Sequence, residues 1–106
     1  MDSGKIIYWE IFDNDMLIPP KISAKDIVIL IGNAPIWRYI QAYSKVQSAN
    51  IVAVGGHSSE NEEYAIIMGG AGNIVIGEIL VIKNEQKMFA QIWHSYKKNN
   101  IIMFPH

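Results

Sequence analysis

Cysteine is absent from these 106 residues, which rules out both a disulfide framework and a thiolate metal site. That suits a reducing compartment, and a cytoplasmic location is expected. No apolar run approaches the roughly 20 residues that span a bilayer. Met1-Asp2-Ser3-Gly4-Lys5 also lacks the apolar core of a signal peptide, so no membrane partner is expected. Charge is scarce too: 18% of residues are charged and the net charge is −1. Proteins that coat long DNA or RNA need a broad basic face to neutralise phosphates, so that class is excluded. Arginine occurs once, at Arg38, and histidine only at 57, 94 and 106. A Walker lysine, a hydrolase nucleophile elbow and a metal motif of specific spacing are all missing. Gly69-Gly70-Ala71-Gly72 sits between two expected strands, the wrong context for a dinucleotide fingerprint.

Apolar residues, by contrast, are plentiful, at 50% of the chain. Together with the low charge, this favours burying one face against a second copy, so a homodimer or higher assembly is expected. The length fits one domain over residues 1–106. Its class reads as α/β: a mixed sheet with two main helices. Strands are expected at residues 5–12, 27–31, 50–54, 63–68 and 74–82, with a short closing strand at 101–104. Residues 34–48 read as a helix with Ile36, Trp37, Ile40, Tyr43 and Val46 inward and Arg38, Gln41 and Lys45 outward. From Asn84 to Lys97, the stripe Met88, Phe89, Ile92, Trp93 and Tyr96 predicts a second helix that serves the core or a dimer contact.

Ile27-Val28-Ile29-Leu30-Ile31 runs straight into Gly32-Asn33-Ala34-Pro35-Ile36-Trp37 and the first helix. A strand that turns through glycine into a helix leaves backbone N–H groups pointing outward, at the positive end of the helix dipole. That arrangement suits a phosphate or another anion. Gly32 permits the turn, Asn33 is the expected cap and Pro35 fits the first helical turn. A second cluster, Gly55-Gly56-His57-Ser58, follows the third strand, where ligands of open α/β sheets collect. His57 is the best-placed group for proton transfer near neutral pH. Glu60, Glu62 and Glu63 stand close enough in sequence to join His57 at a hard divalent ion; the plainer reading is a solvated acidic loop. His94 reads as a packing or capping residue.

Gly-x-x-Pro-Ile-Trp after an apolar strand, followed by a helix and Ile51-Val52-Ala53-Val54, resembles the third family of CRISPR-associated ring nucleases. The resemblance implies a small type III CRISPR accessory protein, dimeric, that binds cyclic tetra-adenylate and cleaves it with manganese. A deadenylating RNA exonuclease activity is also described for that family. The chain departs from the family at positions that bear on catalysis. Ser44 and Gln47 stand where histidines are usual, Gly55-Gly56-His57-Ser58 replaces an aromatic-Asp-Pro-Arg run, and Met68-Gly69-Gly70 replaces a Ser-His pair.

Binding therefore carries over better than the family's chemistry does. Gly32 to Trp37, with Gly55, Gly56 and Ser58, are the expected ligand-binding residues. The expected reaction is attack of a ribose 2′-hydroxyl on its own 3′-phosphate, with Arg38 or Lys45 neutralising charge and His57 moving the proton. Such a route requires no cofactor, although manganese remains open as a second route through His57, Glu60, Glu62 and Glu63. A non-catalytic sensor or sponge for the same messenger is the alternative from another class, and an RNA exonuclease is the third.

Overall fold

Alternation of large apolar residues along Ile6-Ile7-Tyr8-Trp9-Glu10-Ile11 supplies both faces of a central strand. The computed structural model describes residues 4–12, 16–58, 61–87, 90–94 and 100–103. Its elements in chain order are β1 (Ile6–Ile11), β2 (Ile27–Gly32), α1 (Ile36–Val46), β3 (Ile51–Ser58), β4 (Glu62–Gly69), β5 (Ile79–Lys83), α2 (Asn84–Lys87), β6 (Gln91–His94) and β7 (Asn100–Met103). The strands form one mixed sheet in the order β5-β4-β3-β2-β1-β6-β7. β6, β1, β2 and β3 run parallel; the β3–β4, β4–β5 and β6–β7 pairings are antiparallel. This is the single α/β domain with a mixed sheet that the sequence implies.

The period-two pattern splits the core in two. Ile7, Trp9 and Ile11 of β1, with Val28, Leu30 and Val52, pack beneath Ala42 and Val46 of α1. On the opposite face, Tyr8, Ile29, Ala53, Ala65 and Ile82 close around Ala90, so the β5–β6 connection crosses that side. Fully burying each large side chain of this kind is worth roughly 1.5–3 kcal/mol. At the N-terminal end of the parallel strands, buried Asp26 accepts the N–H groups of Lys5 (2.9 Å) and Ser23 (2.8 Å) and fixes where β2 begins.

Three expectations need correction. The segment 84–97 is not one helix: α2 is a single turn, and Gln91–His94 is a strand beside β1, with Ile92 opposite Tyr8. Ala90 and Ile92 lie on the same side of the core at two-residue spacing, and pairing with β1 outweighs the helical stripe. Met88, Phe89, Tyr96 and Lys97 lie outside the described residues.

β5 begins only at Ile79, after a longer turn in which Gly77 N–H donates to the Ile67 carbonyl (2.7 Å). β3 runs on to Ser58, so Gly55-Gly56-His57-Ser58 is extended strand rather than loop.

Candidate functional site

Gly32 closes β2 with φ of 120°, a conformation that favours glycine, and a Cβ there would collide with the Ile11 carbonyl oxygen. The turn therefore lies directly against the end of β1. Pro35 rather than Asn33 is the N-cap, extended at φ −66° and ψ 154°, and no side chain caps the helix. The Arg38 N–H donates to the Pro35 carbonyl (2.9 Å), which satisfies the third helical amide. Ile36 and Trp37 supply the first two, which an α-helix leaves without an internal acceptor. Gly32, Asn33, Pro35, Ile36 and Trp37 are exposed and Ala34 is half-buried. An open backbone surface thus stands at the positive end of the helix dipole.

α1 is rotated relative to the face that its hydrophobicity predicts. Arg38, Ala42 and Val46 form its buried stripe, whereas Ile36 (77% exposed), Trp37 (53%) and Ile40 (59%) point away from the core. Small Ala42 lets the helix lie close to the sheet. Arg38 is accommodated there because its Nε and a terminal guanidinium nitrogen both donate to the Phe12 carbonyl, at 3.1 and 2.9 Å. Its guanidinium carbon lies 5.8 Å from the centre of the Trp37 ring, a cation–π contact that steadies the indole. Arg38 therefore acts on the turn as a clamp between β1, α1 and Trp37.

Gly55 lies against β2, since a Cβ there would meet the Ile31 side chain at 2.9 Å. β2 pairs with β3 only as far as Leu30 with Val54, whereas β4 pairs on to Ser58 opposite Glu63, with a register shift between Gly55 and Ser58. The Gly32 turn and the Gly55–Ser58 run thus share the carboxyl end of two adjacent parallel strands. His57 has its backbone in that irregular stretch; its side chain, and that of Ser58, lie outside the described residues.

Lys45 is not part of this cluster. Nine residues beyond Ile36 on α1, it stands roughly 13 Å further along the axis. There it borders a separate groove of about 380 Å³ with Met16, Leu17, Arg38, Gln41 and Ser44.

In the described part of the acidic segment, Glu62 and Glu63 do not converge on one point. Glu62 and Glu63 are successive residues of β4 and face opposite sides of the sheet. Glu62 accepts the Tyr64 hydroxyl (2.7 Å), and Glu63 accepts the Tyr8 hydroxyl from β1. Burial first, then the hydrogen bond and charge of Glu63, raise the Tyr8 pKa far above its ordinary value. The Tyr64 pKa is also raised, by its bond to the Glu62 carboxylate.

Among the described residues no three histidine, aspartate or glutamate side chains converge, so the described carboxylates do not fit a shared divalent ion. Glu60 lies outside the described residues. The Tyr8–Glu63 bond joins residues 55 apart and escaped the sequence reading; its only local signal is a tyrosine alternating into an apolar strand.

No helix among the described residues is long and apolar enough to cross a membrane. Comparison with curated proteins and with solved structures gave no match to either. A family model described as CRISPR-associated protein (Cas_csx3) matches residues 5–70, which takes in β1 to β4 and both halves of the cluster just described. With more than half of its length matched, this chain belongs to the CRISPR-associated Cas_csx3 family.

Proposed function

We propose that this protein binds a cyclic oligoadenylate, in the first instance cyclic tetra-adenylate, across a homodimer and opens the ring by phosphodiester cleavage, ending type III CRISPR signalling. The observation that carries this reading is the pairing of open amides at Ile36 and Trp37 with the exposed Trp37 indole. A phosphate needs donors and a positive dipole end, and an adenine needs a flat apolar face. One turn supplies both. The messenger itself is inferred from membership of a CRISPR-associated family and from the Gly-x-x-Pro-Ile-Trp resemblance.

Cleavage follows the in-line route. The ribose 2′-oxygen gives up its proton and bonds to the adjacent phosphorus. The bond to the 5′-oxygen breaks, and that oxygen takes up a proton. The products are a 2′,3′-cyclic phosphate and a free 5′-hydroxyl. The turn amides stabilise the charge that builds on the phosphate oxygens, and His57 moves the proton. Arg38 positions Trp37 rather than touching phosphate. The proposed route runs without a metal; of the residues of the alternative manganese route, Glu62 and Glu63 diverge and each already bonds a tyrosine.

Incubating purified protein with labelled cyclic tetra-adenylate, with manganese or with chelator, tests the reading. Linear product in both conditions is expected. Intact ligand retained on the protein would make it a sensor or sponge, and shortening of adenylate tails alone would make it an RNA exonuclease. No binding at all would overturn the assignment. His57→Ala should bind normally and cleave on the order of 10²–10⁴-fold more slowly.

A further inference from the structure

β3 carries one residue more than β4 where the two strands reach the carboxyl edge of the parallel sheet. Gly55 stands opposite Ala65 and Ser58 opposite Glu63, so three steps along β3 answer two along β4. Gly56 and His57 therefore share the register position opposite Tyr64. That is a β-bulge, and bulges beside functional sites re-aim the residues they contain. Its effect here is a change of phase. Ala65, opposite Gly55, lies on the side of the sheet that buries Tyr8. Strict alternation from Gly55 would bring His57 to that side as well. With the extra residue, Ser58 takes the place opposite Glu63, and His57 falls in step with Tyr64 on the side of α1.

Glu63, the β4 residue that closes the bulge, accepts the Tyr8 hydroxyl from β1. The two strands are three spacings apart, roughly 14 Å, and one hydrogen bond joins them across β2 and β3. Ala53 and Ala65, small members of the same buried cluster, leave that face low enough for the phenol to cross. Tyr8 is itself buried in a central strand, so the outer side of the bulge is anchored to the core. Leu30 stands opposite Val54, which puts Gly32 and Gly56 level with each other two residues further on.

We propose that Tyr8 and Glu63 are a positioning pair, whose bond locks the bulge in the phase that sets His57 on the α1 side, level with the Gly32 turn. Neither residue touches the ligand in this account. The inference rests on the proposed function only for what His57 does there; the bulge, its phase and its anchor stand apart from it.

NMR and cleavage kinetics on the parent, Tyr8→Phe, Glu63→Ala, Glu63→Gln and Val46→Ala test the pair, with circular dichroism and melts to show that each is folded. His57→Ala identifies the His57 imidazole signals among the three histidines. In the parent those signals should show nuclear Overhauser contacts to the Tyr64 ring. Contacts to Glu63 or Ala65 instead would place His57 on the other side and overturn the inference.

Amide exchange at Gly55 to Ser58 should quicken at least about tenfold, relative to Val28 to Leu30, in Tyr8→Phe and Glu63→Ala. Glu63→Gln keeps an acceptor for the phenol and should exchange nearly as the parent does. On labelled cyclic tetra-adenylate, kcat of the first two variants should fall at least about tenfold at unchanged KM, since a misplacement of about 1 Å costs up to 10²-fold. Glu63→Gln should recover most of that rate. Val46→Ala, a core truncation under α1 and away from the bond, lowers stability alone and should leave kcat unchanged.

Unchanged exchange at the bulge in Tyr8→Phe would overturn the anchor, and quickened exchange with kcat at the parent value would overturn the positioning role. A parent that cuts no ring, yet shows the Tyr64 contacts and the loosened bulge in Tyr8→Phe, would overturn the proposed function and leave the phase lock standing.

Discussion

Gly32, Tyr8 and Arg38 show how much of this site is held by single residues. Gly32 combines a left-handed φ with backbone contact to Ile11, so any side chain there meets both a conformational penalty and a collision. Gly32→Ala is expected to cost at least about 2–3 kcal/mol, read as a fall in the urea midpoint; an unchanged midpoint would show that the turn relaxes freely. For the same reason a bulky residue at Gly32 is a poor probe of ligand binding, since it breaks the strand end first. Arg38→Met should cost about 2 kcal/mol, because it leaves the Phe12 carbonyl without its two charged donors. Its melting temperature should fall before any ligand is added.

Tyr8 carries a prediction about pH. Its folded pKa lies above the ordinary 10.0, so the fold favours the protonated phenol. The stability this contributes is fully present below about pH 10 and drains away as pH rises toward the folded value. Stability of the parent should therefore fall more steeply above pH 10 than that of Tyr8→Phe. The variant should in turn be about 1–2 kcal/mol less stable at neutral pH, having lost a bond to a carboxylate. Parallel alkaline curves for the two proteins would contradict the Tyr8–Glu63 pairing.

Among the elements, α1 combines a correct sequence reading with an inverted one. Its existence and its place between two parallel strands follow from the apolar run and the glycine, while its start falls two residues later than expected, with Pro35 as the cap in place of Asn33. Its orientation does not, because hydrophobicity alone assigns Ile36, Trp37 and Ile40 to the core and Arg38 to solvent. The sheet accepts Ala42 and Val46 at close approach and satisfies Arg38 through Phe12, which frees the larger apolar groups for other contacts. Periodicity reports an apolar face but not what covers it.

The second misreading has a different cause. Ile92 and Trp93 fit a helical stripe, yet β1 offers Tyr8 and Trp9 as parallel partners, and distant pairing decides the outcome. Trp37→Ala belongs at this scale. Loss of a stacking platform is expected to weaken adenylate binding by roughly 1–3 kcal/mol, about 5- to 150-fold, while Trp37→Phe keeps most of the affinity. Fluorescence or calorimetric titration reads both variants, and equal affinities for Trp37→Ala and the parent would remove the indole from the site.

Across the whole molecule, the parallel strands β6, β1, β2 and β3 bring the Gly32 turn and the Gly55–Ser58 run to a common edge, while β4 and β5 extend the sheet beyond β3. The neighbourhood of the two glycine segments was legible from the order strand, helix, strand. The separation of Lys45 and the divergence of Glu62 from Glu63 were not, since each depends on distance along α1 or on the pleat of β4. In the proposed function, a cyclic tetranucleotide would match a two-fold arrangement of two such turns.

Calorimetric titration of the parent protein with cyclic tetra-adenylate, against linear tetra-adenylate of the same length, tests that arrangement most directly. Saturable binding of one ring per two chains, weaker for the linear form and lost in large part with Trp37→Ala, is the predicted result. Absence of any heat of binding for the ring would contradict it, as would one ring per single chain that remains monomeric.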